Sequence, residues 1–159
     1  QTDDEKLRAV RYECCLAGLA VLDAPSALPD PGGTKVTNGG PVVWLADNRR
    51  KGISDVPAVT LHSSHAFARE HWDHPDGERF PPLFAAVEDQ VRARVVESSV
   101  HRWGFNQPVN PLGCGSLVFN DLRLGFAGDG LGGPRVEGSA VSGLNAAGKI
   151  LARFGEGRE

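Results

Sequence analysis

The densest concentration of residues able to do chemistry lies near the end of the chain. Residues 122–133 read LRLGFAGDGLGG, and the helix-forming stretch VEGSAVSGLNAAGKILARF occupies 136–154. Gly128, Gly130, Gly132 and Gly133 surround a single acid, Asp129. Glycines at a strand-to-helix turn permit positive φ and allow a ligand to approach the backbone. A helix opening at Arg135, Val136, Glu137 and Gly138 would aim unpaired N–H groups and a positive dipole end at that turn. A carboxylate there accepts hydrogen bonds from ligand hydroxyls, while the helix start suits an anion or an electron-rich carbonyl. The plainer alternative is a tight turn with an Asx-type aspartate and a small-residue helix contact. Ser139, Gly143 and Ala147, at i, i+4 and i+8, predict a bare helical stripe with something packed closely on it.

The remaining candidates are weaker. His62, His65, His71 and His74 fall within 13 residues, but their spacing matches no strong zinc pattern, so no metal site is expected. Cys14 and Cys15 sit in an apolar run and read as small buried hydrophobes. Cys114 lies in a glycine-rich loop without an evident base. Ser63, Ser64 and Ser139 lack the context of a nucleophile elbow, which leaves hydrolase chemistry unsupported. The run NRRK at 48–51 reads as a solvated turn.

The elements that must position the glycine corner follow from hydrophobic periodicity. DDEKLRAV predicts a short helix. Residues 12–22 fit either a helix or a buried strand. A Pro/Gly loop at 24–33 precedes an Asn-Gly-Gly turn and a strand with Val42, Trp44 and Ala46 on one face. AVTLHSS predicts a strand with Val59 and Leu61 opposite Thr60 and His62, and Ser63 or Ser64 can cap a helix through HAFAREHW. DHPDGERFPP should break that helix. Leu83, Phe84, Val87, Val91 and Val95 predict an amphipathic helix. Residues 95–108 predict a long strand, LRLGFAG the last strand, and 136–154 the last helix. The pattern is α+β: an antiparallel or mixed sheet with flanking helices.

Composition narrows the function classes. The 159 residues carry a formal net charge of −3, which gives no electrostatic case for nucleic acid or an anionic membrane. No apolar run approaches the roughly 20 residues of a membrane span. Three cysteines make no secreted disulfide framework, so a reducing, cytoplasmic setting is expected.

Residues 126–151, FAGDGLGGPRVEGSAVSGLNAAGKIL, resemble the C-terminal flavin motif of the glutathione-reductase-like flavoproteins. The closest resemblance is to the renalase-like branch of the FAD-dependent amine oxidase superfamily. VVWLADNRRKGISDVPAVTLHSSHAFAREHWD at 42–73 and VHRWGFNQP at 100–108 are similar to that branch as well, in the same order. The resemblance implies a substrate-side α+β domain at 1–121. It also implies a C-terminal strand, glycine turn and helix at 122–159 that belong to an FAD domain. On this resemblance Asp129 would hydrogen-bond the ribityl or pyrophosphate region of FAD, and Gly128 and Gly130 would let the backbone reach it. Arg135, Val136, Glu137 and Gly138 would lie at the pyrimidine edge of the isoalloxazine, and Trp103 and Phe105 beside the substrate pocket. Gly104 departs from the basic or aromatic residue that the branch more often carries.

Such flavoproteins open with a GxGxxG strand–turn–helix for the ADP half of FAD, and none is found in this sequence. The resemblance therefore implies the C-terminal portion of an FAD-dependent oxidoreductase holding a partial FAD site. The parent would accept a hydride from a reduced dinucleotide or an amine and pass electrons to oxygen. The chain alone is expected to be inactive without a partner carrying the dinucleotide-binding half. It would then be a fragment, a split subunit or a degenerate relative. The competing expectation is a non-catalytic α+β ligand- or protein-binding module.

Overall fold

Thr2 opens the first helix, α1 (Asp3–Ala9), with a capping box: its side chain accepts from the Glu5 N–H, and the Glu5 carboxylate accepts from the Thr2 N–H at 2.8 Å. In this computed structural model, which describes residues 2–154, the ambiguous segment that follows is strand β1 (Tyr12–Leu22). Its β-hydrogen-bonding neighbours decide the matter. β1 pairs antiparallel with β4 (Ala58–Ser63), and β4 pairs antiparallel with β3 (Val42–Asp47). The short β2 (Gly33–Lys35) pairs antiparallel with β3, and β5 (Val95–Pro108) completes a five-stranded sheet in the order β2-β3-β4-β1-β5. With α2 (His65–Glu70), α3 (Asp76–Ala85) and α4 (Glu88–Val91), this is the α+β class that the periodicity predicts.

Residues 14–104 form one compact unit, and residues up to 13 together with those from 105 onward form a second. The core of the 14–104 unit joins Leu16, Ala20 and Leu22 of β1 to Leu45, Val59 and Leu61 of the neighbouring strands. Phe67, Phe80, Leu83, Val87 and Val91 pack on them. Each leucine, valine and phenylalanine side chain among them contributes about 1.5–3 kcal/mol by leaving water. Ser64 caps α2 by accepting from the Phe67 N–H.

Three local expectations are corrected. The 76–85 stretch is helical despite Pro81 and Pro82, so DHPDGERFPP breaks the chain only as far as Pro75. The predicted helix through Val95 is split: α3 stops at Ala85, α4 ends at Arg92 in the left-handed region (φ 56°), and Val95 opens β5. Leu83, Val87 and Val91 still reach the core, because the i, i+4 pattern registers burial rather than helix continuity. On β3, a bulge between Val42 and Trp44 interrupts the alternation, so Val42 and Leu45 are buried while Trp44 is only half-buried.

The second unit contains α1, the hairpin of β6 (Leu117–Phe119) and β7 (Leu124–Phe126), the short α5 (Asp129–Gly132) and the 19-residue α6 (Val136–Phe154). β6 and β7 pair antiparallel, Leu117 opposite Phe126. The last strand is shorter than LRLGFAG suggests, because Arg123 turns the chain at φ 51° and Leu122 lies outside the pairing. Among the described residues, no helix is long and apolar enough to cross a membrane.

Candidate functional site: the glycine corner

After β7 the chain reaches Gly128, whose φ of 134° is accessible to glycine and strained for other residues. Asp129 then opens α5, and Gly133 (φ 105°) ends it before α6 starts. The two helices cross at Gly132 and Gly138. A methyl group on Gly138 would sit 2.6 Å from the Gly132 carbonyl oxygen, and one on Gly132 would sit 2.9 Å from Ser142 Cβ. Two of the glycines therefore exist for backbone packing, and two for positive φ.

Ser142, fully buried on α6, ties the corner together. Its Oγ accepts from the Gly128 N–H at 2.9 Å and donates to the Gly115 carbonyl. The 112–116 loop is held by further bonds, from Leu112 N–H to the Gly130 carbonyl (2.9 Å) and from Lys149 Nζ to the Ser116 carbonyl (2.7 Å). The packed stripe of α6 is Gly138, Ser142 and Ala146. The stripe of Ser139, Gly143 and Ala147, one residue along, has no cover over its last two positions: Gly143 and Ala147 are exposed, and nothing lies within 4 Å of a methyl placed on Gly143. Val136, Leu144 and Leu151 are also exposed, at 90%, 73% and 67%.

Asp129 is not left for a ligand alone. Tyr12, the only tyrosine in the chain, donates its hydroxyl to Asp129 Oδ1 at 2.7 Å. A methyl on Gly130 would lie 2.8 Å from that hydroxyl oxygen, so the glycine makes room for the bond. The Tyr12 ring meets Phe105 edge-on at 5.7 Å. Burial pushes the Tyr12 hydroxyl above its ordinary pKa, and the Asp129 hydrogen bond and negative charge push it the same way. An ionised carboxylate has about four acceptor positions, so Tyr12 occupies one and leaves others.

Beside the corner lies an open groove of about 540 Å³, lined by Gly113, Cys114, Gly115, Leu131–Gly133, Pro134, Arg135, Glu137, Gly138, Val141, Ser142 and Asn145. Of the expected cofactor residues, Arg135, Glu137 and Gly138 line it; Gly128, Asp129, Gly130 and Val136 do not. The N–H groups of Val136, Glu137 and Gly138 belong to the first turn of α6 and have no partner within that helix. Arg135 and Glu137 bring one charge of each sign, and both are exposed. The groove suits a ligand with an anionic or carbonyl edge met by backbone N–H groups and an arginine.

Trp103 and Phe105 stand two apart on β5, exposed at 52% and 81%. Trp103 meets the His101 ring at 4.8 Å. Sequence reasoning missed Tyr12, Ser142 and Asn145, and it weighed Cys114 only as a thiol without a base. Ser142 had a signal, since Gly138, Ser142 and Ala146 are a small-residue series as complete as the one chosen. Tyr12 had none, lying 117 residues from its partner. The histidines do not assemble as a set: His65 Nδ1 lies 3.0 Å from the Cys14 carbonyl oxygen, while His71 and His74 meet each other. Among the described residues no three His, Cys, Asp or Glu side chains gather to hold a metal. No known family model matches the chain.

Proposed function

We propose that the chain is the C-terminal portion of an FAD-dependent oxidoreductase of renalase-like type. Its partial cofactor site is the groove at the start of α6. The carrying observation is that the corner stays open on its α6 side even though Tyr12 engages Asp129. The fit to a flavin nucleotide is partial. The volume lies within the usual range for a small-ligand site, roughly 300–1,000 Å³, and is too small to enclose a whole dinucleotide. Backbone N–H groups of Glu137 and Gly138 and the Arg135 guanidinium, which line the groove, would meet an electron-rich edge of the group, while Asp129, held by Tyr12, lies outside that lining.

Bound flavin would supply the redox chemistry, taking a hydride from a reduced dinucleotide or amine, with oxygen as the onward acceptor. This chain would contribute orientation and the positive end of α6, which favours negative charge near the ring. The expected setting is cytoplasmic, with a partner that carries the missing dinucleotide-binding half. Titrating FAD into the chain and following the flavin absorbance bands tests the reading. Weak, saturable binding is expected. A tight stoichiometric yellow complex would overturn the partial-site account. Complete indifference to FAD would favour a non-catalytic binding module instead.

A further inference from the structure

Away from the glycine corner, the turn between α2 and α3 brings two imidazoles edge to face, their ring nitrogens within hydrogen-bonding distance. His71 Nδ1 and His74 Nδ1 are 3.1 Å apart. The pair is held from several sides. The His71 ring packs on Phe67 with centroids 4.1 Å apart, and the His71 backbone N–H donates to the Phe67 carbonyl. The His74 N–H donates to the His71 carbonyl at 3.2 Å, and Arg79 Nε donates to the His74 carbonyl. Asp76 joins Arg79 at 3.6 Å and accepts from the Val100 N–H, which fixes the start of α3. Glu78, one turn into α3, places Oε2 3.9 Å from His74 Nδ1.

We infer that His71 and His74 form a chelating site for a divalent late-transition cation of the Ni²⁺ or Cu²⁺ kind. A cation about 2.1 Å from both nitrogens would subtend an angle of about 95°, computed from the 3.1 Å separation. That is close to the 90° of neighbouring positions in a square or octahedral frame and well below the tetrahedral angle of about 109°. Imidazole suits these metals. Two protein ligands leave the other positions to water. The Glu78 carboxylate lies 3.9 Å from His74 Nδ1, close enough for its charge to favour a bound cation without ligating it.

Isothermal titration of Ni²⁺ into the untagged full chain tests the inference, in a Cys114→Ser background that removes the exposed thiol. One equivalent is expected to bind with micromolar affinity. His74→Gln and His71→Gln should each weaken it by about tenfold or more, as loss of one of two ligands requires. Glu78→Gln should weaken it severalfold, and His101→Gln should leave it unchanged. Circular dichroism of His74→Gln, which alters a half-exposed side chain, should match the parent. Binding that survives both His71→Gln and His74→Gln, or no binding up to millimolar Ni²⁺, would overturn the assignment.

Discussion

Two single-methyl substitutions on α6, five residues apart, should change stability in opposite directions. At Gly138 an added Cβ would lie 2.6 Å from the Gly132 carbonyl oxygen and 3.0 Å from that of Gly133. Ordinary van der Waals contact begins at 3.4 Å, so the first contact is short by 3.4 − 2.6 = 0.8 Å, and the obstacle is backbone. Replacing a helical glycine by alanine gains up to about 1 kcal/mol in propensity. Overpacking costs typically about 1–3 kcal/mol, and the upper half of that range applies where the obstructing group cannot rotate away. Gly138→Ala should therefore destabilise by about 1–2 kcal/mol net. Gly143→Ala meets nothing within 4 Å and should stabilise by about 0.5–1 kcal/mol. Urea unfolding followed by far-ultraviolet circular dichroism, read as the shift in midpoint at constant slope, measures both. Equal stabilisation by the two substitutions would refute the crossing at Gly132 and Gly138.

Two further outcomes follow from the same corner. Ser142→Ala leaves the Gly128 N–H and Gly115 carbonyl without their buried partner and should cost about 1–3 kcal/mol, measured by the same unfolding assay. Tyr12 holds its proton more tightly folded than unfolded, so its contribution is complete below the ordinary tyrosine pKa and is lost as pH rises through the folded value. Phenolate absorbance should show delayed ionisation relative to the denatured chain, and Asp129→Asn should remove part of the delay; ionisation at the denatured-state pH would contradict the Tyr12–Asp129 bond.

How much of this was legible in the sequence depended on how local the determinants were. The limits of α6 and β5 could be read off because composition changes sharply at Pro134, Pro108 and the ends of the periodic runs. The strand at 12–22 was undecidable alone, since its apolar run is buried by pairing with β4 about forty residues away. Leu83, Val87 and Val91 revealed the core but concealed the break at Arg92, because burial and helix continuity leave the same spacing. The glycine corner was visible as a concentration of permissive backbone. Whether each glycine served turn, crossing or ligand was not, because that depends on Tyr12 and Ser142, residues brought in from other parts of the fold.

The claim on which the functional reading rests is that the groove at the start of α6 holds part of a flavin nucleotide. Backbone amide chemical shifts, followed by NMR during an FAD titration, address it directly. The account predicts saturable shifts concentrated at Cys114, Gly132, Gly133, Arg135, Glu137, Gly138 and Asn145, diminished by Arg135→Glu. Shifts centred elsewhere, or a spectrum that FAD leaves unchanged, would contradict it.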